Sequence, residues 1–395
     1  MRTSSYWVSF LSLSLLYGLL VFPTELNWLS RDDMLRVVDS PGSFLGRAQL
    51  SLDSALYMEA ARGFSIAGVV EYLSGLGSLR FGLFSNLSLG AIGSLAIAAL
   101  PHSPYTAVAV VNHLLFLLAV LNYAQLCQHL ALDQRRFYSC MLANLLVTFS
   151  LYTLNKEAIG LYVVSAFVRH GMYGKHWRML PALALAFFTR DVLFLFGLLV
   201  LLRRRVGLSA GAALLLASLL FPLALRAMEG ALLGQGVGEL ISTTVFFGQK
   251  TSQLFVFLYA ITSQPFGYIV TFPLILAIEV ASPFLNYTYY LTPLVRTDWA
   301  ELTLVVSSGC FVALLVAAWY RAGVSRLIRL EAFQLFVLFS LLVCLYPYSQ
   351  HRYLLPVYPV VVLTYLSARR AVLSKPGLDG PAGRAQRLPR GRDAS

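Results

Sequence analysis

Residues 105–127 read YTAVAVVNHLLFLLAVLNYAQLC and contain no lysine, arginine, aspartate or glutamate. An uncharged apolar stretch of about 20 residues is long enough to cross the hydrocarbon core of a bilayer as an α-helix. Arg135 and Arg136 follow this stretch after a short polar segment. Because short loops rich in lysine and arginine stay on the cytoplasmic side, the sequence predicts a spanning helix that runs inward.

The composition of the whole chain extends this prediction. Of its 395 residues, 58% are hydrophobic and only 12% are charged, whereas soluble domains carry about 25% charged residues. Backbone groups in lipid must be hydrogen-bonded within their own segment, so further apolar stretches are expected to be helices. The sequence therefore predicts an all-α fold, a polytopic transmembrane bundle of about ten helices. They include a first span from Arg2 to about Phe22, a span over 137–154 and a short one over 158–168.

The net charge of +12 is explained by orientation in the membrane. The arginines concentrate in short loops and in the C-terminal tail, which is the distribution that keeps those segments in the cytoplasm. The charge shows no interleaving with aromatic residues of a nucleic-acid kind, and a nucleic-acid partner is not expected. Both chain termini are predicted to be cytoplasmic, and the lipid bilayer is the expected surrounding.

The chain is predicted to form one membrane domain, residues 1–370, followed by a disordered basic cytoplasmic tail, residues 371–395, which is rich in Gly, Pro and Arg. Residues 24–104 are expected to form a large extracytoplasmic first loop with interfacial helices. Within it, residues 81–100 are moderately apolar, and two interpretations stay open. The segment either spans the membrane or forms a re-entrant or interfacial helix that does not cross it. The alternation of basic loops along the chain favours the interpretation in which residues 81–100 do not cross the membrane.

Charged residues bounded by apolar helices on both sides are the candidate functional residues, because a charge at membrane depth is costly and usually faces a wet cavity. Lys156 and Glu157 lie between two apolar stretches, and Arg190 divides the apolar stretch 179–202 into two halves of about ten residues. Guanidinium binds phosphate oxygens bidentately. Arg190 and Lys156 are therefore predicted to bind phosphate, while helix-end ion pairs are the structural alternative.

Two further groups complete the candidates. Asp53 precedes Tyr57 at helical spacing in the first loop, and it is a candidate general base, with Asp33 as a second acid in the same loop. The other group is the run His351-Arg352-Tyr353, a histidine and a cation before a proline-containing final helix. The alternatives without a functional role are that Asp53 is a solvated acid in a loop, and that the run 351–353 anchors the chain at the membrane interface.

These groups, in this order, resemble those of the C-type glycosyltransferase superfamily and the related bacterial O-antigen and exopolysaccharide polymerases. The matching elements are an acid in the first loop, the Lys156-Glu157 pair, an arginine that breaks an apolar stretch, and Arg352-Tyr353-Leu-Leu-Pro before the last helix. The resemblance covers most of residues 1–370 in pattern.

The resemblance implies a glycosyltransferase or repeat-unit polymerase of a bacterial inner membrane that assembles a cell-surface glycan. It implies a polyprenyl-phosphate or polyprenyl-diphosphate sugar as donor and a glycan as acceptor. The catalytic candidates are then Asp53, Asp33 and Glu157, and the substrate-binding candidates are Lys156, Arg190, His351, Arg352, Tyr353 and Tyr57. No metal site is predicted and no cofactor is required, although a divalent metal is compatible with the chemistry.

Two other functions stay open: a transporter or flippase for a lipid-linked glycan, and a non-catalytic subunit of an envelope complex.

Overall fold

A computed structural model of the protein is helical throughout the part of the chain that it describes, which confirms the predicted all-α class there. The first loop and the tail lie largely outside that part, so their predicted organisation stays a prediction. The described residues are 54, 57, 58, 61–65, 87–174, 176–228, 257, 258, 260–262, 264–289, 299–345 and 351–373.

Short loops join the described helices up to residue 228, and most helices that are neighbours in sequence also contact each other. The helices up to residue 206 are α1 Leu87–Ala99, α2 Pro104–His129, α3 Gln134–Ala143, α4 Leu145–Ser150, α5 Lys156–Met172, α6 Leu180–Phe187 and α7 Asp191–Val206. The later ones are α8 Ala210–Met228, α9 Gly267–Tyr289, α10 Trp299–Ala322, α11 Val324–Leu327, α12 Glu331–Val343 and α13 Tyr358–Leu373. Two 3₁₀ segments, His176–Met179 and His351–Val357, precede α6 and α13.

Local sequence signals explain where several helices begin and end. The Asp133 carboxylate accepts hydrogen bonds from the backbone N–H groups of Arg135 and Arg136 and caps α3. Asn144 interrupts the predicted span 137–154, because its side chain accepts from the Leu146 N–H and starts α4. The predicted single helix is therefore two short helices followed by a loop.

The second interruption falls at Arg190, as the sequence predicts. The α6 helix has only eight residues and rises about 12 Å, less than half of a bilayer core. Arg190 has an extended backbone, with φ −165° and ψ 127°, and it occupies the N-cap position of α7. The Thr189 hydroxyl donates to the Leu185 carbonyl and thereby closes the last turn of α6.

The α5 helix is central to the bundle, since it contacts α2, α6, α7 and the 3₁₀ segment His351–Val357. Close approach to that segment requires glycine at position 160, where a Cβ atom would lie 2.7 Å from Cγ of Pro356. This contact brings the start of α5 and the residues before α13 to the same end of the bundle.

Polar groups separate into two ends of the bundle. At the first, the "Arg190 end", Glu157, Arg190 and Tyr353 lie together. At the second, the "Arg204 end", Arg204 donates to three carbonyls at the end of α5, those of residues 170, 171 and 174. Arg370 donates to the Leu130 carbonyl at the same end. The helices α2, α5, α7 and α13 therefore each bring a terminus to the Arg204 end.

Two of the described helices are long and apolar enough to cross a membrane by length and composition, Pro104–His129 and Leu304–Ala322. The sequence predicts about ten spans. The difference arises partly because Asn144 breaks the predicted span 137–154 into shorter helices, and because the predicted first span lies outside the described residues. Four more apolar helices are shorter: Leu87–Ala99, Ala210–Leu220, Gly267–Ala281 and Glu331–Val343.

The α1 helix occupies the segment 81–100 whose crossing the sequence left open. Its 13 residues rise about 20 Å, less than the roughly 30 Å of a hydrocarbon core. Near its start, the Ser88 and Thr189 hydroxyls are 2.9 Å apart, and a Cβ atom on Gly93 would lie 3.0 Å from Leu154. Both contacts hold α1 near the Arg190 end, in agreement with the non-crossing interpretation, which stays a prediction.

Outward faces of several helices carry large apolar side chains that are exposed. On α2, for example, Leu114 is 57% exposed, and on α10 Trp319 is 55% exposed. These side chains recur at helical spacing along each outward face. They are Val110, Leu114, Leu118 and Leu121 on α2, Leu195, Leu198 and Leu202 on α7, Leu215, Leu216, Leu219 and Leu220 on α8, and Val312, Val316, Trp319 and Tyr320 on α10.

Candidate functional site

Arg190 is the centre of the polar cluster at the Arg190 end. Its guanidinium Nη2 lies 3.8 Å from Oε1 of Glu157, and its Cζ lies 4.2 Å from the centre of the Tyr353 ring. The first distance is within ion-pair range but too long for a hydrogen bond. The Arg190 side chain is 15% exposed. The guanidinium is thus oriented by a charge and by an aromatic ring while part of it stays accessible.

Tyr353 carries a second guanidinium. The Cζ atom of Arg352 lies 5.4 Å from the centre of the same ring, and the Arg352 residue is buried. The Cζ atoms of Arg190 and Arg352 are therefore separated by at most the sum of the two ring distances, about 9.6 Å. The Tyr353 ring therefore contacts the guanidinium groups of both Arg190 and Arg352, which come from different parts of the chain. Such cation–π contacts are stronger when the cation is desolvated.

Glu157 supplies the negative charge of the cluster. It lies in the first turn of α5, where the helix dipole favours a carboxylate, and its side chain is only 2% exposed. Lys156 precedes it and places Nζ 5.8 Å from the centre of the Tyr57 ring. In this geometry the Glu157 carboxylate is directed toward Arg190, an arrangement that suits orienting the guanidinium.

The loop 151–155 positions Lys156 and Glu157. All five residues are buried although none belongs to an α-helix. The Asn112 amide donates to two carbonyls of this loop, including that of Thr153 at 2.9 Å. The Leu154 N–H donates to the Ser54 hydroxyl at 2.7 Å. Because buried backbone groups must be hydrogen-bonded, these side chains are what allow the loop to lie inside the bundle.

His351 is adjacent to Arg352 in the chain but its ring contacts a different helix. Nε2 lies 2.9 Å from the Ser307 hydroxyl of α10, and the Phe311 ring packs edge-on against the imidazole at 5.2 Å. The side chain is buried. The structure therefore brings Glu157, Arg190, Arg352 and Tyr353 together, and it directs His351 toward α10 instead of toward the guanidinium groups.

The two predicted acids of the first loop, Asp33 and Asp53, lie outside the described residues. Their neighbours Ser54 and Tyr57 are described, and both contact the segment that leads into α5. That segment includes Lys156, next to Glu157 of the polar cluster. Part of the first loop is thus next to the Arg190 end.

Several polar side chains that hold the site together were not identified from the sequence. Ser54, Asn112 and Ser307 lie in otherwise unremarkable stretches, and their partners are far away along the chain. A single hydroxyl or amide side chain belongs to no sequence motif with a recognisable spacing. The only available signal was a polar residue within an apolar stretch, as at Asn112 in α2.

The described side chains at the Arg190 end have an excess of positive charge, since Lys156, Arg190 and Arg352 accompany two carboxylates, Glu157 and Asp191. Within the described ranges, no three His, Cys, Asp or Glu side chains come close enough to hold a metal ion. The described arrangement is therefore suited to an anion bound by guanidinium groups. No family model, curated protein or solved structure matches the chain.

Proposed function

We propose that the chain is an integral membrane protein with several spanning segments. Soluble monomers rarely expose large contiguous apolar patches, whereas α2, α7, α8 and α10 expose rows of leucine, valine and tryptophan on their outward faces. Lipid is the surrounding that makes such surfaces favourable. The concentration of loop arginines at the Arg204 end supports a cytoplasmic placement of that end, which puts the Arg190 end on the extracytoplasmic side.

We further propose that the protein is a glycosyltransferase or repeat-unit polymerase that uses a polyprenyl-phosphate or polyprenyl-diphosphate sugar as donor. The observation that supports this proposal is the environment of the Arg190 guanidinium. A guanidinium has five N–H donors, and the described contacts of this one are a 3.8 Å ion pair and a ring. Its donors are therefore suited to phosphate oxygens, with Arg352 beside the same tyrosine.

The proposed reaction transfers a sugar between two oxygens. The acceptor hydroxyl loses its proton to a first-loop acid, Asp53 or Asp33, while its oxygen forms a bond to the anomeric carbon of the donor. The bond between that carbon and the phosphate oxygen breaks, and its electron pair leaves with the lipid phosphate. Arg190, Arg352 and Lys156 stabilise the charge that develops on the phosphate.

Glu157 acts in this scheme as a positioning residue, in place of the catalytic role that the sequence suggests. Its carboxylate is nearly completely buried and is directed at Arg190. A carboxylate so placed fixes the guanidinium that contacts the phosphate, and reaching the acceptor hydroxyl would require it to leave its partner. His351 is bonded to Ser307 of α10 and is not directed at the guanidinium groups, so this scheme assigns it no contact with phosphate.

The test is a gene deletion with complementation and a profile of surface glycan chain length. Arg190→Ala and Asp53→Asn are expected to leave the glycan short or lacking one sugar, although the variant proteins are present in the membrane. Arg178→Ala is the matched control, because Arg178 also stacks on an aromatic ring, that of Trp177, but lies in the exposed segment before α6. Full rescue by Arg190→Ala and Asp53→Asn would refute the enzymatic proposal.

A transfer assay with the purified protein in detergent separates the other two functions. A flippase defect would leave completed lipid-linked units on the cytoplasmic side, and transfer assayed in detergent with a soluble acceptor would be normal. A non-catalytic subunit would show no transfer by the purified wild-type protein. The proposed enzyme transfers sugar in detergent, and the Arg190→Ala variant does so at least about a hundredfold more slowly, as expected for loss of one charge-stabilising donor.

A further inference from the structure

An apolar groove lies on the outward side of α7, beside α12. Leu195, Leu198 and Leu202 of α7 and Leu342 of α12 line it, and Arg205 is its only charged lining residue. Its volume is about 430 Å³, within the roughly 300–1,000 Å³ that is typical of ligand sites. The three α7 leucines are between 39% and 45% exposed, so the groove is accessible from the surrounding lipid.

Arg205 differs from the two arginines that precede it. Arg203 donates to the Leu208 carbonyl at 3.3 Å. Arg204 donates to carbonyls at the end of α5 and so closes that helix. Arg205 is exposed and makes no hydrogen bond or ion pair with any described residue. Two of the three guanidinium groups therefore stabilise the fold, and the third remains available at the end of the groove.

The groove runs between the two ends of the bundle. The α12 helix begins at the Arg204 end, since Glu331 lines a cavity together with Arg203 and Arg204. Leu342, near the last residue of α12, is accordingly close to the Arg190 end. Arg205 is 15 positions beyond Arg190 on one helix, a rise of about 22 Å. The guanidinium of Arg205 is thus at the opposite membrane surface from the polar cluster.

We infer that this groove binds one anionic phospholipid of the leaflet at the Arg204 end, with an acyl chain along the leucines of α7 and the phosphate on Arg205. Charge complementarity identifies the occupant: an apolar groove whose one charged lining residue is the exposed Arg205 fits an amphiphile with an anionic head group. Basic residues at the cytoplasmic surface attract anionic lipids. A polyprenyl donor held at Arg190 would place its phosphate at the other end of α7 and leave Arg205 unused.

The inference rests on the proposed membrane placement but not on glycosyl transfer. It is tested with the full-length protein in a mild detergent, supplemented with equal amounts of phosphatidylglycerol and phosphatidylcholine of the same acyl chains. Native mass spectrometry then counts the lipids that remain bound. The wild-type protein is expected to retain one phosphatidylglycerol with about fivefold preference, and Arg205→Gln is expected to lose the preference.

Arg326→Gln is the matched control, because Arg326 is an exposed arginine in the short helix α11 that does not line the groove. It should keep the wild-type preference. Leu198→Trp fills the groove without changing Arg205, and it should also lose the lipid. Retention of phosphatidylglycerol by Leu198→Trp, or its displacement by inorganic phosphate, would show a head-group contact only and would overturn the inference.

Equal retention of the two lipids by the wild-type protein would also overturn it. A failure of the glycosyltransferase proposal is distinguishable from this result, because lipid retention is measured without sugar donor or acceptor. Arg205→Lys is a second test in case the glutamine variant misfolds. It keeps the positive charge and should therefore keep a reduced preference for phosphatidylglycerol. All variants are compared by gel filtration before the lipid measurement.

Discussion

The Glu157 carboxylate and the Arg190 guanidinium lie 3.8 Å apart although they begin two different helices, α5 and α7. Each is at or next to a helix N-terminus, so the pair fixes the relative position of two helix starts. Tyr353 completes the contact from the segment before α13. Three separate parts of the chain are therefore joined at a single guanidinium.

Removal of either charge should destabilise the protein more than removal of both. Breaking a buried ion pair by deleting one partner leaves an uncompensated charge and costs about 3–5 kcal/mol when both are fully buried, and less here because Arg190 is partly exposed. We expect a coupling free energy of about 0.5–3 kcal/mol between Glu157→Gln and Arg190→Gln. A double-mutant cycle of unfolding in detergent measures it, and additive single effects would contradict the pairing.

Tyr353 should act through its ring and not through its hydroxyl. Tyr353→Phe keeps the surface on which Arg190 and Arg352 rest and should retain most of the transfer activity. Tyr353→Leu removes it and should cost about 0.5–2 kcal/mol of cation–π interaction, with transfer lowered severalfold. Steady-state transfer assays on both variants decide the matter, and equal activity of the two would exclude the ring as the positioning element.

Gly160 should be intolerant of even one methyl group. A Cβ atom there would lie 2.7 Å from Cγ of Pro356, in the segment that carries Arg352 and Tyr353. Gly160→Ala is therefore expected to destabilise the protein by about 1–3 kcal/mol, as overpacking does, and to lower activity.

Gly309→Ala in α10 is the control for this variant, because a Cβ atom there would meet nothing within 4 Å. It should be neutral or more stable by up to about 1 kcal/mol, the helix preference of alanine over glycine. Thermal unfolding of both variants in the same detergent gives the comparison. Equal loss of stability would refute the proposed close contact.

The two ends of the bundle should differ in accessibility from outside the cell. His102 is exposed in the loop before α2, and Arg135 is exposed in the first turn of α3, beyond the other end of α2. A cysteine at position 102 is expected to react with an impermeant maleimide in intact cells, and one at 135 only after permeabilisation. Labelling of both positions in intact cells would contradict the proposed span of α2.

His170 should make the stability of the Arg204 end dependent on pH. It lies in the last turn of α5, beyond the predicted span 158–168, and burial lowers its pKa from 6.5, with Arg169 and Arg178 acting in the same direction. The folded protein thus favours the neutral ring. This contribution is fully present above pH 6.5 and is lost as the pH falls through the lower folded pKa.

Replacement of His170 by glutamine should remove that contribution. The difference in unfolding midpoint between the wild type and His170→Gln is expected to change as the pH falls below about 6.5, with the wild type losing stability faster. Unfolding curves at constant ionic strength measure it. A constant difference across this range would show that folding does not lower the pKa of His170.

Much of the fold could be predicted from the sequence because apolar length and charge placement are local signals. The uncharged stretch 105–127 corresponds to α2, and the arginine at position 190 does divide two helices. The break at Asn144 was missed because an asparagine inside an apolar stretch gives no indication by itself of whether it caps a helix or faces a partner.

The site was only partly accessible to sequence reasoning, for a physical reason. Charges in apolar surroundings are conspicuous, so Lys156, Glu157, Arg190 and Arg352 were identified as candidates. Which of them touch depends on packing between distant segments, such as the close contact at Gly160. His351 illustrates the limit: its neighbour in sequence contacts Tyr353, whereas its own ring contacts Ser307.

The buried loop 151–155 has a consequence for dynamics. Its backbone is held by Asn112 and Ser54, so opening it would leave buried backbone groups without hydrogen-bond partners. The amide protons of Leu151, Tyr152 and Leu154, which donate to the Thr148 carbonyl, the Phe149 carbonyl and the Ser54 hydroxyl, should therefore exchange with deuterium as slowly as those of the surrounding helices. In the proposed reaction this loop is therefore expected to act as a fixed scaffold and not as a hinge, and any movement that admits a substrate is expected elsewhere in the bundle.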